Sequence, residues 1–189
     1  MILSDIWWHT LGRSAIDCFD PNQVNPGSYD VRLDDRILLQ RFRGRAYNNV
    51  VAHLNRDSTM EFVDPETGLD VICEARFKAG DAFLGSTIEY VRLSRWTVMM
   101  YLDKSSTGRE GLSNRHAGLI DAGFHGTITL EHDVLRDGLL TPYKRIGQLV
   151  AHPTFAWKPY HHRGGSKYIG QQGVTANRNT NGLAFRADT

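Results

Sequence analysis

The sequence predicts a mainly β fold: a sandwich, jelly roll or distorted β-barrel with short helices. Short runs rich in β-branched and aromatic residues recur along the chain, several alternating apolar with polar side chains. Gly, Pro and Asp turns separate these runs, the punctuation of an all-β domain. No internal repeat divides the chain.

The first element is an exception to the β pattern. Ser4 is placed to cap a short helix through about Leu11, ended by Gly12, with Ile6, Trp7 and Leu11 on its buried face. The turn-rich "FDPNQVNPGS" follows. In "YDVRLDDRILLQRF" Val31 and Leu33 alternate with Asp30 and Arg32, as in a strand with one face in the core. The stretch from Arg43 to Arg56 fits no single template. "TMEFVDPETG" reads as a strand running into a turn, and "FKAGDAFLGSTIEYVRLS" as two strands about a Gly-Asp turn. "WTVMMYLD" is a continuous apolar run and predicts a buried strand. In "GTITLEHDVL" Ile128 and Leu130 alternate with Thr127, Thr129 and Glu131, and "RIGQLVAHPTF" supplies a last strand. From Trp157 onward the pattern fails: "KPYHHRGGSKYIGQQGVTANRNTNG" is polar, Gly-rich and basic. Such a segment is either an unstructured tail or one that folds over a ligand.

Composition narrows the function classes. The chain has 189 residues, which predicts one domain, or one domain with a tail. A net charge of +1 marks no general nucleic-acid binder. Cys18 and Cys73 form neither a CxxC motif nor a zinc spacing nor a disulfide framework. The apolar run in "MILSDIWWHTLGR" is too short for a signal peptide and holds Asp5. No run approaches the ~20 apolar residues of a membrane helix. The expectation is a soluble, cytoplasmic protein without nucleic-acid or membrane partners.

Three constellations are candidates for chemistry. "DKSSTGREGL" brings Lys104, Ser105, Ser106 and Arg109 together after the apolar run. Hydroxyls, backbone N–H groups and two cations suit a phosphate chain, though a serine capping a helical turn is the structural alternative. It is not a Walker loop, because GxxxxGK[ST] is absent. The second is "AGLIDAGFHGTITLEHD", where Asp121 and Glu131 stand ten positions apart at the two ends of what reads as a hairpin. A carboxylate closing a strand usually points to water. One partly withdrawn from water can serve as both base and acid near neutrality. The third is histidine: His116, His125, His132, His161 and His162 show neither HxxxH nor HExxH, and a polar loop is the simpler reading of His161–His162. The zinc-deaminase pattern HxE…PCxxC is missing as well, so deamination here would be zinc-free.

Four stretches together resemble the dCTP deaminases, relatives of the trimeric dUTPases. "NPGSYDVRL" is similar to the family's P-[AG]-[ST]-x-D-[LV]-R-L strand, and "KSSTGREGL" to R-S-S-x-[AG]-R-x-G-L. "AGLIDAGFHGTITLE" resembles A-[GH]-x-I-D-P-G-[FW]-x-G-x-x-x-L-E, and "KYIGQQG" resembles K-Y-x-x-Q-x-G. They stand in family order across residues 4–176. The resemblance implies a dUTPase-like β domain over 1–156 and a tail, 157–189, that closes over nucleotide and is ordered by it. It implies a homotrimer with shared active sites and a nucleoside triphosphate substrate carrying Mg²⁺ on its phosphates. It implies Glu131 as the proton shuttle for attack of water on C4 of cytosine, with the backbone at Ala117 helping to hold that water. Ser105 and Arg109 would lie near the base and phosphates, and Lys104 and Ser106 at phosphate. Tyr160, Lys167 and Gln171 would close from the tail.

The sequence also departs from the family. Lys104 stands where Arg is usual, which keeps the charge and loses the fork geometry. "LSNRHAG" is one residue shorter than usual, and His116 replaces a Thr whose region takes part in dTTP feedback in relatives. "EHD" replaces an apolar or aromatic residue after the glutamate. The expected activity is deamination of dCTP to dUTP and ammonia. The alternatives are a bifunctional enzyme giving dUMP and pyrophosphate, a dUTPase using Asp121 on water, and a catalytically silent nucleotide-binding regulator.

Overall fold

The computed structural model describes residues 1–115, 118–162, 164 and 166–176. The helix α1 (Asp5–His9) opens the chain, followed by 3-10 turns at Gly12–Ala15 and Pro21–Gln23. The strands of the first half are β1 (Ile16–Asp17), β2 (Val24–Asn25), β3 (Ser28–Arg32), β4 (Arg36–Phe42), β5 (Arg45–Leu54), β6 (Thr59–Val63) and β7 (Asp70–Glu74). Next come β8 (Arg76–Phe77), β9 (Ala82–Arg92), β10 (Thr97–Asp103) and the helix α2 (Ser105–Arg109). The last strands are β11 (Leu112–Asn114), β12 (Leu119–Ile120), β13 (His125–Val134), β14 (Gly138–Leu139) and β15 (Arg145–Pro153). A 3-10 turn, Tyr160–His162, begins the tail.

The larger sheet runs β11-β13-β9-β4-β5-β6-β7, with β1 also on β9, and the smaller runs β12-β10-β15-β3-β2. All of these ladders are antiparallel. The mainly β expectation holds, as two packed sheets without closure into a barrel. Their inner faces share one core, in which Tyr29, Met99 and Leu149 of the smaller sheet meet Leu39, Phe83 and Leu130 of the larger. Each such side chain contributes about 1.5–3 kcal/mol by leaving water.

Several expectations are corrected. The helix α1 ends at His9, and Trp8 is its buried residue, stacked on Tyr29 at 5.4 Å. Ile6 and Leu11 are 72% and 66% exposed, because a helix of little more than one turn rests on the sheet only through Trp7 and Trp8. Asp30 does not face water. It is 1% exposed, ion-paired with Lys104 and bonded by Asn25 Nδ2 at 2.9 Å. The run in β10 alternates, so that Met100 and Leu102, with Leu119 of β12 beside them, form an apolar outer patch. The unassigned stretch holds the long strand β5. It is joined to β4 by Arg43 and Gly44, both at positive φ (51° and 81°), the two-residue turn that matches strand twist.

The tail docks on the domain. The Tyr160 N–H donates to the Ala122 carbonyl at 2.8 Å, and the Gly170 N–H to the His125 carbonyl at 2.8 Å. Gln171 forms a parallel bridge with Gly126, and Val174 packs on Leu38 and Leu84. No described helix is long and apolar enough to cross a membrane.

Candidate active site

Asp121 and Glu131 are not the two ends of a hairpin. Strand β12 belongs to the smaller sheet, on β10, whereas β13 belongs to the larger, between β11 and β9. The turn between them, closed by the Phe124 N–H on the Asp121 carbonyl at 3.0 Å, carries the chain from one sheet to the other. It needs Gly123, whose φ is +83°. A Cβ there would come within 2.6 Å of Pro159, so the tail presses directly on the turn.

This crossing sets both carboxylates on one cavity of about 600 Å³. Ile120, Phe124, Thr129, Tyr160, Tyr168 and Gln171 line it with them, as do Gln40 and Asn49. From Ile128 onward β13 alternates as predicted: Ile128, Leu130, His132 and Val134 are buried, while Thr129, Glu131 and Asp133 look outward. The Glu131 backbone is held on both sides. Its N–H donates to Asn114 Oδ1 at 2.9 Å, and its carbonyl accepts the Arg115 N–H at 2.7 Å. The Arg115 guanidinium forks onto Asp133 at 2.6 and 3.0 Å and holds that carboxyl below the usual range.

Two buried polar atoms of cavity-lining residues lack partners among the described residues. Gln171 is buried, and its Nε2 donates to the Thr127 carbonyl at 2.6 Å, yet its Oε1 is orphaned, as is Thr129 Oγ1. Buried polar atoms of this kind are costly unless water or a ligand meets them. Behind Glu131, His132 is fully buried against Phe83, ring centroids 5.2 Å apart. Burial pulls this imidazole down to about 4, against the weaker opposing charge of Asp103, so it is neutral at physiological pH.

The phosphate candidates stand apart from the cavity. Ser105, Ser106 and Arg109 are exposed on α2 and do not line it. The N-cap of α2 is Lys104, with no side-chain cap, so neither serine acts as the cap. The Lys104 ammonium is engaged by the buried carboxylate of Asp30. Lys167 is exposed and does not line the cavity, whereas Tyr160 and Gln171 do. Ala117 and His116 lie outside the described residues. Tyr168, Thr129, Gln40 and Asn49 are additions to the expected set. Gln40 sits where the β4 ladders shift register between Leu39 and Arg41, and Asn49 has φ +53°, a conformation Asn tolerates better than most residues. Nothing in the local pattern marks Gln40. Among the described residues no three His, Cys, Asp or Glu side chains converge as a metal-binding set.

Residues 3–154 match the family description "dCTP deaminase-like". The chain belongs to the dCTP deaminase family. Three of the four quoted motifs fall inside the matched span, and "KYIGQQG" lies beyond it. The chain is 37% identical over 175 residues to a protein of Rhodococcus erythropolis named "dCTP deaminase, dUMP-forming", covering 89% of each. A Mycobacterium tuberculosis protein of the same name is 37% identical over 173 residues, covering 88% of each. Among solved structures, the 2'-deoxycytidine 5'-triphosphate deaminase of Agrobacterium tumefaciens superposes with a TM-score of 0.57 at 22% identity. That match covers 81% of this chain and spans about half (48%) of the other, and it carries the fold alone.

Proposed function

We propose that the chain hydrolyses dCTP twice, at the base and then at the triphosphate, giving ammonia, pyrophosphate and dUMP. The observation that carries the reading is a single cavity lined by two carboxylates, Asp121 and Glu131, whose surrounding motifs are those of the family. The names of relatives that align over nearly their whole length favour dUMP over dUTP as the end product.

In the first step Glu131 takes a proton from water, and the hydroxide attacks C4 of cytosine. N3 receives the proton, leaving a tetrahedral carbon that bears both oxygen and amine. Glu131 then moves the hydroxyl proton to the amine, the C4–N bond breaks, and ammonia departs as the C4 carbonyl forms. In the second step Asp121 deprotonates a second water for attack on the α-phosphorus, and pyrophosphate leaves with the α–β bridging oxygen. Mg²⁺ belongs to the substrate, riding on its phosphates, and no step runs through a metal held by the chain. Gln171 and Thr129 line the cavity and are its polar contacts for the nucleotide. The tail, through Tyr160, Lys167 and Gln171, is the lid.

Ser105, Ser106 and Arg109 are assigned to the triphosphate in the cavity of a neighbouring copy, within a homotrimer. Their position outside their own chain's cavity supports this, as does the apolar patch of Met100, Leu102 and Leu119 on the strands beside α2.

The test follows ammonia and pyrophosphate separately from dCTP with Mg²⁺. Equal amounts of both are expected from the native chain. Glu131→Gln loses ammonia release by roughly 10²–10⁴-fold, the usual size of a general-base effect, while still binding nucleotide. Asp121→Asn retains ammonia release and loses pyrophosphate by a similar factor. Ammonia without pyrophosphate from the native chain would remove the second step, and neither product would remove the whole reading.

A further inference from the structure

The β11–β13 ladder changes character at Glu131. Its register runs Leu112 to Val134, Ser113 to Asp133 and Asn114 to His132, so the next rung joins Arg115 with Glu131. Half of that rung is ordinary, the Arg115 N–H on the Glu131 carbonyl at 2.7 Å. In an antiparallel hydrogen-bonded pair the other half would be the Glu131 N–H on the Arg115 carbonyl. A side chain takes that place: the Glu131 N–H donates to Asn114 Oδ1 at 2.9 Å. Asn114 is itself fixed from the opposite direction, its own N–H donating to Asp103 Oδ2 at 2.9 Å. Asp103 ends β10 and leads into Lys104, which is anchored on the buried Asp30 at the foot of α2.

We infer that Asn114 is a positioning residue for the glutamate. It fixes the backbone from which Glu131 projects and ties it to the strand end that carries the phosphate helix. The inference rests on the reading of Glu131 as the proton shuttle. A shuttle must be held within about 0.5 Å of its productive place, and a glutamate side chain with three rotatable bonds needs its backbone held first. An amide suits the position chemically. It offers a neutral acceptor to the Glu131 N–H, whereas an aspartate would add a further carboxylate beside Asp103 and Glu131. Asn114 lies between the family motifs at 104–112 and 117–131 and in neither, within the segment that is one residue short.

Steady-state ammonia release from dCTP with Mg²⁺, measured for the native chain, Asn114→Ala and Asn114→Asp, tests this. Asn114→Ala is expected to lower kcat about tenfold, the worth of one hydrogen bond to a catalytic element, with KM within about twofold. Its melting temperature stays within a few degrees. Asn114→Asp keeps the acceptor and recovers kcat above the alanine variant. The acid limb of its pH profile moves to higher pH, because an added negative charge favours the protonated form of a neighbouring base. An active native chain matched by Asn114→Ala overturns the inference alone. So does equal loss in both variants together with a lowered melting temperature, which is the signature of a folding role. A native chain that releases no ammonia overturns the reading of Glu131, and this inference with it.

Discussion

Glu131 and His132 are neighbours in sequence and live in opposite surroundings. The two-residue period of a strand sends the carboxylate to the cavity and the imidazole into the core. His132 belongs to the "EHD" that departs from the pattern expected of the family, and its ring packs against Phe83. The cost appears in acid. The folded value of about 4 lies below the 6.5 of a free imidazole, so the unfolded chain takes up the proton first as pH falls. Stability is therefore lost between about pH 6.5 and pH 4. His132→Phe should remove that loss, gaining about 2 kcal/mol at pH 5 relative to its effect at pH 8. Denaturant unfolding at the two pH values measures it, and an equal effect at both would refute the assignment. Lys104 teaches a related lesson. Its charge, counted from sequence toward phosphate, is held by Asp30, a partner 74 positions away that no local pattern reveals.

At the scale of the element, register and turn geometry decide what the site contains. A one-residue slip of β13 against β9 would exchange Glu131 for His132 at the cavity, so the alternation of that strand is also a functional constraint. The sheet-crossing turn is the second constraint. Gly123→Ala places a Cβ against Pro159 and His161 at a positive φ, a strain of about 1–2 kcal/mol. The tail should then undock. Limited proteolysis beyond residue 157 would speed up, and KM for dCTP would rise about tenfold, with kcat less affected. Unchanged protease resistance would argue that the tail does not lean on the turn. The strand bearing Glu131 was legible because Ile128 and Leu130 repeat with a clean period of two. The strand β5 was not, because its entry turn uses Arg43 at positive φ, where sequence leads one to look for Asn or Asp. The buried face of α1 was misjudged because so short a helix offers no period to average. Gln40 escaped notice because strands and a tail distant in sequence build the cavity it lines.

For the whole molecule, the proposed trimer makes a prediction that no single chain can satisfy. Chains carrying Glu131→Gln and chains carrying Arg109→Ala should each be inactive as pure trimers. Co-assembled in equal amounts, they should regain about a quarter of native ammonia release, the fraction of sites that combine an intact Glu131 with an intact Arg109 from the next copy. Mixed trimers that stay silent would mean that each site is complete within one chain. The crossing from the smaller sheet to the larger also bears on how the protein is born. Neither sheet alone holds both carboxylates, so a half-folded chain, however much β structure it has acquired, has no reaction centre. The pairings that build each sheet, such as β10 with β15 and β9 with β13, join residues far apart along the chain and are slow to find each other. Catalytic competence should thus arrive with the last folding event, and no partly built intermediate is able to act on the cell's nucleotides.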